Sequence, residues 1–238
     1  MSTCSSFFSK YWIEFHISAM ICWIIGSQVA ATAYLQTYVK VTGVISASNA
    51  ELITVDFFVA LVVGSLVGLL DQQFFTLPTL YRHLTILVLA GAVAAGAILV
   101  FQNSAFVLWV GVAAFGASNA PQWAFCVDLY NRISNQSDTG MSLLTFGMNV
   151  GASMVPYMVS WVWDYTGWPQ ILIVVLLLAH IFPYPLMLNA KRLAEVRKRQ
   201  ESERRLSSSI SSEFTGEDAP LLGPKPISSP YDLPSLGT

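Results

Sequence analysis

Apolar residues run through this chain in long unbroken windows rather than in short alternations. A helix that crosses a bilayer needs about 20 predominantly apolar residues, and windows of that size lie at 12–38, 51–70, 84–101, 104–127, 141–163 and 169–189. Polar or helix-breaking stretches part them. Asp71-Gln72-Gln73 and Pro78 close the second window, and Gln102-Asn103-Ser104 turns the third into the fourth. The stretch from Asn131 to Asp138 separates the fourth from the fifth, and Asp164-Tyr165-Thr166-Gly167 the fifth from the sixth. In hydrocarbon every backbone polar group needs an internal partner, so such runs are helices or the strands of a closed barrel. Barrel strands alternate apolar and polar residues, and Ile171-Leu172-Ile173-Val174-Val175-Leu176-Leu177-Leu178 does not. The pattern predicts an all-α membrane protein with six transmembrane helices.

Composition sharpens this. Hydrophobic residues make up 54% of the chain and charged residues 11%, against about 25% charged in a soluble domain; a single water-soluble core is excluded. Residues 1–190 hold 11 of the 26 charged side chains, and the rest follow in the last 48 residues. The chain therefore divides into a six-span bundle (1–190), a charged juxtamembrane segment (191–205) and a Ser-, Pro- and Gly-rich tail (206–238) expected to be disordered and cytosolic. Six spans put both termini on one side. Lys10, Arg82, Arg132 and eight basic residues from Lys191 onward share that side, and Lys40 stands alone on the other, so both termini are expected in the cytosol. The sequon Asn135-Gln136-Ser137 then faces the cytosol and stays unmodified. The basic run Lys191–Arg205 directly follows an apolar segment and is interleaved with acids, which points to the lipid bilayer rather than to nucleic acid. Met1–Ser9 lacks a basic start, and the first apolar segment is too long for a cleavable signal peptide. Cys4, Cys22 and Cys126 form no disulfide framework; Cys4, near the membrane surface, reads as an ordinary thiol before it reads as a palmitate acceptor.

Polar side chains inside a span are costly and face either a water-filled cavity or another helix. Gln28, Thr32 and Gln36 follow at i, i+4 and i+8, one stripe on one helix face, widened by Ser27, Tyr34 and Tyr38. Ser118, Asn119 and Gln122 flank Pro121, which removes a helix hydrogen bond and frees a carbonyl. Thr145, Asn149 and Ser153 repeat the i, i+4, i+8 spacing. Amides and hydroxyls donate and accept, which suits a neutral, hydroxyl-rich solute better than an ion. Gln28, Thr32, Asn119, Gln122 and Asn149 are the candidate substrate-binding residues, with Trp123 and Tyr34 placed to stack on a sugar face. The competing account is that these groups hold helices together with no ligand; three stripes in one bundle leave both accounts open.

The ionisable residues carry less. Glu14 and His16 stand two apart, on different helix faces, which favours an interfacial position over an acid–base pair. Asp56 is accounted for by solvation at the far interface, Asp128 and Arg132 by an i, i+4 pair that anchors a helix end, and His180 by packing. No Ser-His-Asp order, HExxH motif, glycine-rich phosphate loop or carboxylate pair occurs, so no enzyme activity, cofactor or metal site is expected. Gly64 and Gly68, and Gly147 and Gly151 ahead of Pro156, have the spacing that lets membrane helices approach closely.

Three of these segments together resemble the carboxyl-terminal half of a major facilitator superfamily transporter: Phe115-Gly116-Ala117-Ser118-Asn119-Ala120-Pro121, Gly147 to Pro156, and Trp163-Asp164-Tyr165-Thr166-Gly167-Trp168. Within that superfamily they look most like the sodium-dependent glucose transporter and fucose permease branch. Phe15-His16-Ile17-x-Ala19 and the stretch Gly26 to Tyr38 resemble the seventh helix of that branch. The likeness covers about residues 10–190. It implies six helices arranged as a 3+3 inverted repeat, one half of a twelve-helix transporter with a central site. The superfamily's loop pattern Gly-x-x-x-Asp-Arg-x-Gly-Arg is reduced here to Val67-Gly68-Leu69-Leu70-Asp71-Gln72-Gln73. The resemblance also implies an amino-terminal half absent from this sequence, so the expected partner is a second copy or a separate amino-terminal half.

The function expected is transmembrane transport of a small neutral polar solute, sugar-like in character, by alternating access. The alternative is a non-transporting half-transporter paralogue or truncated product that acts as a membrane regulator or scaffold. A channel would want a ring of charge or a carbonyl filter, and neither is visible. In the tail, Glu217-Asp218-Ala219-Pro220-Leu221-Leu222 resembles the acidic dileucine sorting signal read by clathrin adaptors, with Glu217, Leu221 and Leu222 as its fixed positions. It predicts an endolysosomal or vacuolar membrane, with the plasma membrane as the default address otherwise. Arg204-Arg205-Leu206-Ser207 is a basophilic kinase pattern, and a phosphate on Ser207 would add about −1.5 to −2 charge.

Overall fold

The computed structural model describes residues 11–72, 76–134 and 136–214. Among them there is no strand, and seven helices follow one another: α1 (Trp12–Thr42), α2 (Ala50–Gln72), α3 (Leu77–Val100), α4 (Ala105–Ile133), α5 (Asp138–Thr166), α6 (Ile171–Ile181) and α7 (Pro183–Phe214). The first five helices each cover one apolar window, and the sixth window is shared by α6 and the start of α7. Local chemistry sets the ends. Gly43 and Gly167 close α1 and α5 at φ 66° and 65°, their N–H groups donating to Val39 O and Trp163 O, a conformation glycine adopts without a Cβ clash. Ser104 Oγ accepts from Val107 N–H at 3.3 Å and Ser137 Oγ from Gly140 N–H at 3.1 Å, capping α4 and α5. Pro183, which has no N–H to give, divides α6 from α7.

Two boundaries differ from the sequence expectation. Pro78 opens α3 instead of closing the segment before it, because its fixed φ and missing N–H suit the first turn of a helix; α3 thus starts at Leu77 rather than at 84. The charged segment after Asn189 continues as helix to Phe214, so residues 206–214 are helical where disorder is expected. The chain forms one compact unit through Glu195 and a second from Val196 onward, of which the described part, through Phe214, is helical. Cys4, Glu217, Leu221 and Leu222 lie outside the described residues.

Within the first unit α1 packs along α5, α2 along α4, and α3 bridges α4 and α6. Backbones touch where glycine removes the Cβ: one on Gly151 would strike the Cys22 carbonyl and one on Gly64 the Ala117 carbonyl. The apolar interior is split in two. One cluster joins Ala30, Leu35, Tyr38, Phe57, Ala95, Ile98, Val112, Phe115, Val159, Leu172 and Leu176. The other joins Ile17, Met20, Ile24, Leu80, Leu84, Phe125, Leu129, Tyr130, Leu144, Met187 and Ala190. In α1, α3 and α4 the two clusters occupy opposite halves of the helix; polar side chains lie between them on α1 and α4, and Gly91 on α3.

The outer surface is apolar too. Leu52, Val55, Val59, Val62 and Leu66 on α2, and Ile86, Leu89 and Val93 on α3, are all more than half exposed. So much exposed apolar surface is unsuited to water and suited to hydrocarbon. Four segments are long and apolar enough to cross a membrane: α1, Ala50–Leu70 of α2, α3, and Ile171–Gln200. Helices α4 and α5, at 29 residues each, have the length but carry polar side chains along it.

Candidate functional site

The break between the two apolar clusters is a buried polar seam. Ser27 on α1, Asn119 and Gln122 on α4 and His180 on α6 are all at 0% exposure, and Ser118 on α4 is at 4%. Asn119 Nδ2 donates to Ser27 Oγ at 3.1 Å and so ties α4 to α1, while Ser27 Oγ donates to Ile24 O at 2.8 Å. Gln122 Nε2 donates to Ser118 O at 3.0 Å, and Ser118 Oγ to Phe115 O at 2.9 Å. His180 Nδ1 lies 3.1 Å from Leu176 O. A carbonyl only accepts, so Nδ1 carries the proton and Nε2 presents a lone pair. The Phe115 ring lies 4.7 Å from the imidazole. A Cβ on Gly91 of α3 would collide with the imidazole edge and come within 3.0 Å of Ser118 Oγ. Three acceptors in the seam have no hydrogen-bond partner among the described residues: Asn119 Oδ1, Gln122 Oε1 and His180 Nε2.

The structure does not gather the five candidate residues into one site. Asn119 and Gln122 are interior, bonded to the bundle itself. Gln28 and Thr32 are half-buried on α1, and the Thr32 hydroxyl donates to Val29 O at 2.8 Å. Gln36, on the same stripe, reaches Glu51 on α2 at 3.3 Å. Asn149 is exposed on α5, on the face opposite the one where Gly147 and Gly151 meet α1, since two residues turn a helix by about 200°. Thr145 and Ser153 flank it, and their hydroxyls donate to Met141 O and Asn149 O at 3.0 Å each. The Asn149 amide itself makes no hydrogen bond among the described residues. Tyr34 lies 6.3 Å from Trp163, ring to ring, and Trp123 is half-buried against the second apolar cluster.

Glu14, in the first turn of α1, is turned inward. It is 3% exposed, and Ser134 Oγ at the end of α4 donates to Glu14 Oε1 at 2.6 Å while Oε2 has no partner. Ser18 Oγ likewise donates across to Leu143 O of α5 at 2.7 Å. The sequence carries a signal for both: residues 14, 18, 22 and 26 lie on one helix face and are mostly small. Arg132 Nε pairs with Asp128 Oδ1 at 2.8 Å, as the i, i+4 spacing implies. Asp56 is half-buried with Oδ2 unpartnered. Ser207 is exposed on α7. Near Pro121, a groove of about 210 Å³ between α2, α3 and α4 is lined by Gly64, Gly68, Ala117, Pro121 and Phe125 and is almost wholly apolar. No cluster able to hold a metal ion occurs among the described residues.

No protein-family model matches this chain, and no curated protein matches it by sequence. By fold it is similar to the POT family transporter PepTSo, solved from crystals grown in meso, with a TM-score of 0.57 at 14% identity. The match covers 80% of this chain and 38% of that one, so the chain spans well under half the length of the transporter it resembles. At this identity the likeness is one of fold alone, an all-helical bundle that matches part of that transporter.

Proposed function

We propose that this bundle carries a small neutral polar solute, sugar-like in character, across a membrane by alternating access, with six helices crossing and both termini in the cytosol. The observation that carries the reading is the open amide of Asn149, set on a transporter fold whose outer surface is otherwise largely apolar. An amide with unused donors and acceptors on a spanning helix needs water, solute or protein against it. Asn149 is then the solute contact on α5, Gln28 and Thr32 are separate candidates on α1, and Asn119 and Gln122 tie the interior. The neutral chemistry of these side chains and the resemblance to the sodium-dependent glucose transporter and fucose permease branch both support a hydroxyl-rich solute. The acidic dileucine pattern at Glu217, Leu221 and Leu222 supports an endolysosomal or vacuolar address through a clathrin adaptor, and Ser207 is the proposed phosphorylation site beside it.

Uptake of radiolabelled hexoses into vesicles holding the full chain tests this. Hexose enters faster than into protein-free vesicles, and Asn149→Ala lowers the rate about two- to tenfold for each solute hydrogen bond lost. Uptake no faster than in protein-free vesicles overturns it. A second reading, a non-transporting regulator or scaffold, is favoured by the use of Asn119 and Gln122 in the interior; it predicts a folded chain and no uptake.

A further inference from the structure

The groove of about 210 Å³ between α2, α3 and α4 faces outward. Its rim residues Val63 and Val67 on α2 and Ile86 on α3 are each more than half exposed and continue the apolar outer surface of both helices. Its floor lies where α2 meets α4: a Cβ on Gly64 would strike the Ala117 backbone, and one on Gly68 the Pro121 ring. The lining is apolar along its length, and its one polar member, His83, stands at the end where α2 finishes and α3 begins. Arg82 stands at the same end. It precedes Ile86 by four residues and so lies one turn beyond that rim residue on the same helix face. Arg82 is exposed and makes no ion pair among the described residues. Thr76 gives the first turn of α3 no side-chain cap, so its N–H groups add positive potential there.

We propose that this groove holds one acyl chain of an anionic phospholipid, with the lipid phosphate held by Arg82. The proposal rests on α2, α3 and α4 crossing the membrane and is independent of transport. Three observations select a lipid over further polypeptide. Lipid tails are as apolar as leucine, so membrane helices associate through close packing and hydrogen bonds, and the length of this groove offers a second helix no polar group. A helix with its side chains is about 10–12 Å across and bridges a groove of this volume, whereas a flexible methylene chain follows its floor. The charge at the mouth is the third. An arginine stem lies along apolar surface while its head reaches the polar layer, and a guanidinium binds phosphate through charge-assisted, bidentate bonds. A zwitterionic head carries its own cation beside the phosphate; an anionic head leaves the phosphate to Arg82.

Photolabelling tests this. The full chain is placed in phosphatidylcholine vesicles with a trace of phosphatidylglycerol carrying a diazirine in the first half of one acyl chain, or of phosphatidylcholine carrying the same chain. Labelled peptides are then mapped by mass spectrometry. The phosphatidylglycerol probe should label Val63–Val67 and Ile86–Leu87 about fivefold more than the phosphatidylcholine probe, the effect of one basic residue at the membrane surface. Unlabelled phosphatidylglycerol in excess should remove the difference, a measurement that needs no variant. Arg82→Gln should abolish it at unchanged Tm, and Lys40→Gln, at the opposite end of the bundle, should leave it intact. Val67→Phe, which fills the groove from its exposed rim, should cut the labelling of Ile86. Equal labelling by the two probes means ordinary boundary lipid and overturns the site. A preference that survives Arg82→Gln overturns the headgroup contact, and one that survives Val67→Phe overturns the placement of the chain. No label in the groove, as when further polypeptide covers it, overturns the proposal outright.

Discussion

Replacing Asn119 by leucine is expected to leave the bundle about as stable as before or modestly weaker, and replacing it by alanine to weaken it further. Asn119 is wholly buried, makes one side-chain bond, to Ser27 Oγ at 3.1 Å, and leaves Oδ1 without a partner. One neutral hydrogen bond contributes about 0.5–1.5 kcal/mol, and between membrane helices about 0.6 kcal/mol on average. An unsatisfied buried oxygen costs about 1–3 kcal/mol. Leucine has the branching and heavy-atom count of asparagine and removes both terms, but its methyl groups are bulkier, so about 1 kcal/mol of overpacking is set against them and the change lies between a loss of about 2 and a gain of about 1 kcal/mol. Ser27 keeps its bond to Ile24 O, so no new orphan appears. Alanine removes the same polar atoms but leaves a void, at about 1–2 kcal/mol beyond leucine. For a chain of this length about 1 kcal/mol moves Tm by roughly 2–4 °C. Thermal unfolding of the purified chain in detergent should place the leucine variant no more than about 8 °C below the wild type, with alanine lower still. Hexose uptake by the leucine variant should match the wild type. A fall of more than about 8 °C for leucine, or lost uptake at unchanged Tm, refutes the account of Asn119 as an interior tie with a spare oxygen.

Gly91→Ala should lower stability by about 1–3 kcal/mol, because the new methyl collides with a wholly buried imidazole that has little room to turn; an unchanged Tm would mean the ring relaxes freely. Gly151→Ala should cost a similar amount, since the Cβ meets the backbone carbonyl of Cys22 and α1 must move off α5, as the same unfolding measurement reads. Ser104→Ala removes the cap of α4 and should cost about 1 kcal/mol, whereas Ser104→Asp should restore it. Leu221→Ala with Leu222→Ala should move a tagged chain from internal membranes to the cell surface by microscopy, and an unchanged distribution removes the sorting proposal.

Much of this architecture was legible because its signals are long-range averages. Each apolar window became helix, since a run such as Ile171–Leu178 has one solution in hydrocarbon. The glycine spacing at Gly147 and Gly151 foretold close contact. Rotation about the helix axis was not legible. Asn119 and Asn149 are the same residue in windows of similar make-up, and one turns inward to Ser27 while the other turns outward. Their fate depends on which neighbour each face meets, and spacing within one helix does not record that. The burial of Glu14 was not legible for the same reason: its partner, Ser134, lies 120 residues away. The Pro78 boundary failed because proline marks both an end and a beginning, and only the following turns distinguish them.

The division of the core by the polar seam also bears on how the bundle yields to shear. Contacts within each apolar cluster are dispersion contacts of about 0.1–0.2 kcal/mol apiece, numerous and tied to shape, and sliding one side chain past another opens gaps that nothing fills. The seam is held instead by a few directional bonds among groups that include three vacant acceptors. A donor that shifts there meets polar groups rather than a gap, since the Ser118 hydroxyl and the His180 ring edge both border Gly91. The bundle is therefore stiff in two slabs and compliant in the plane between them, a plane set across α4 beside the proline that already lacks one rung of its ladder.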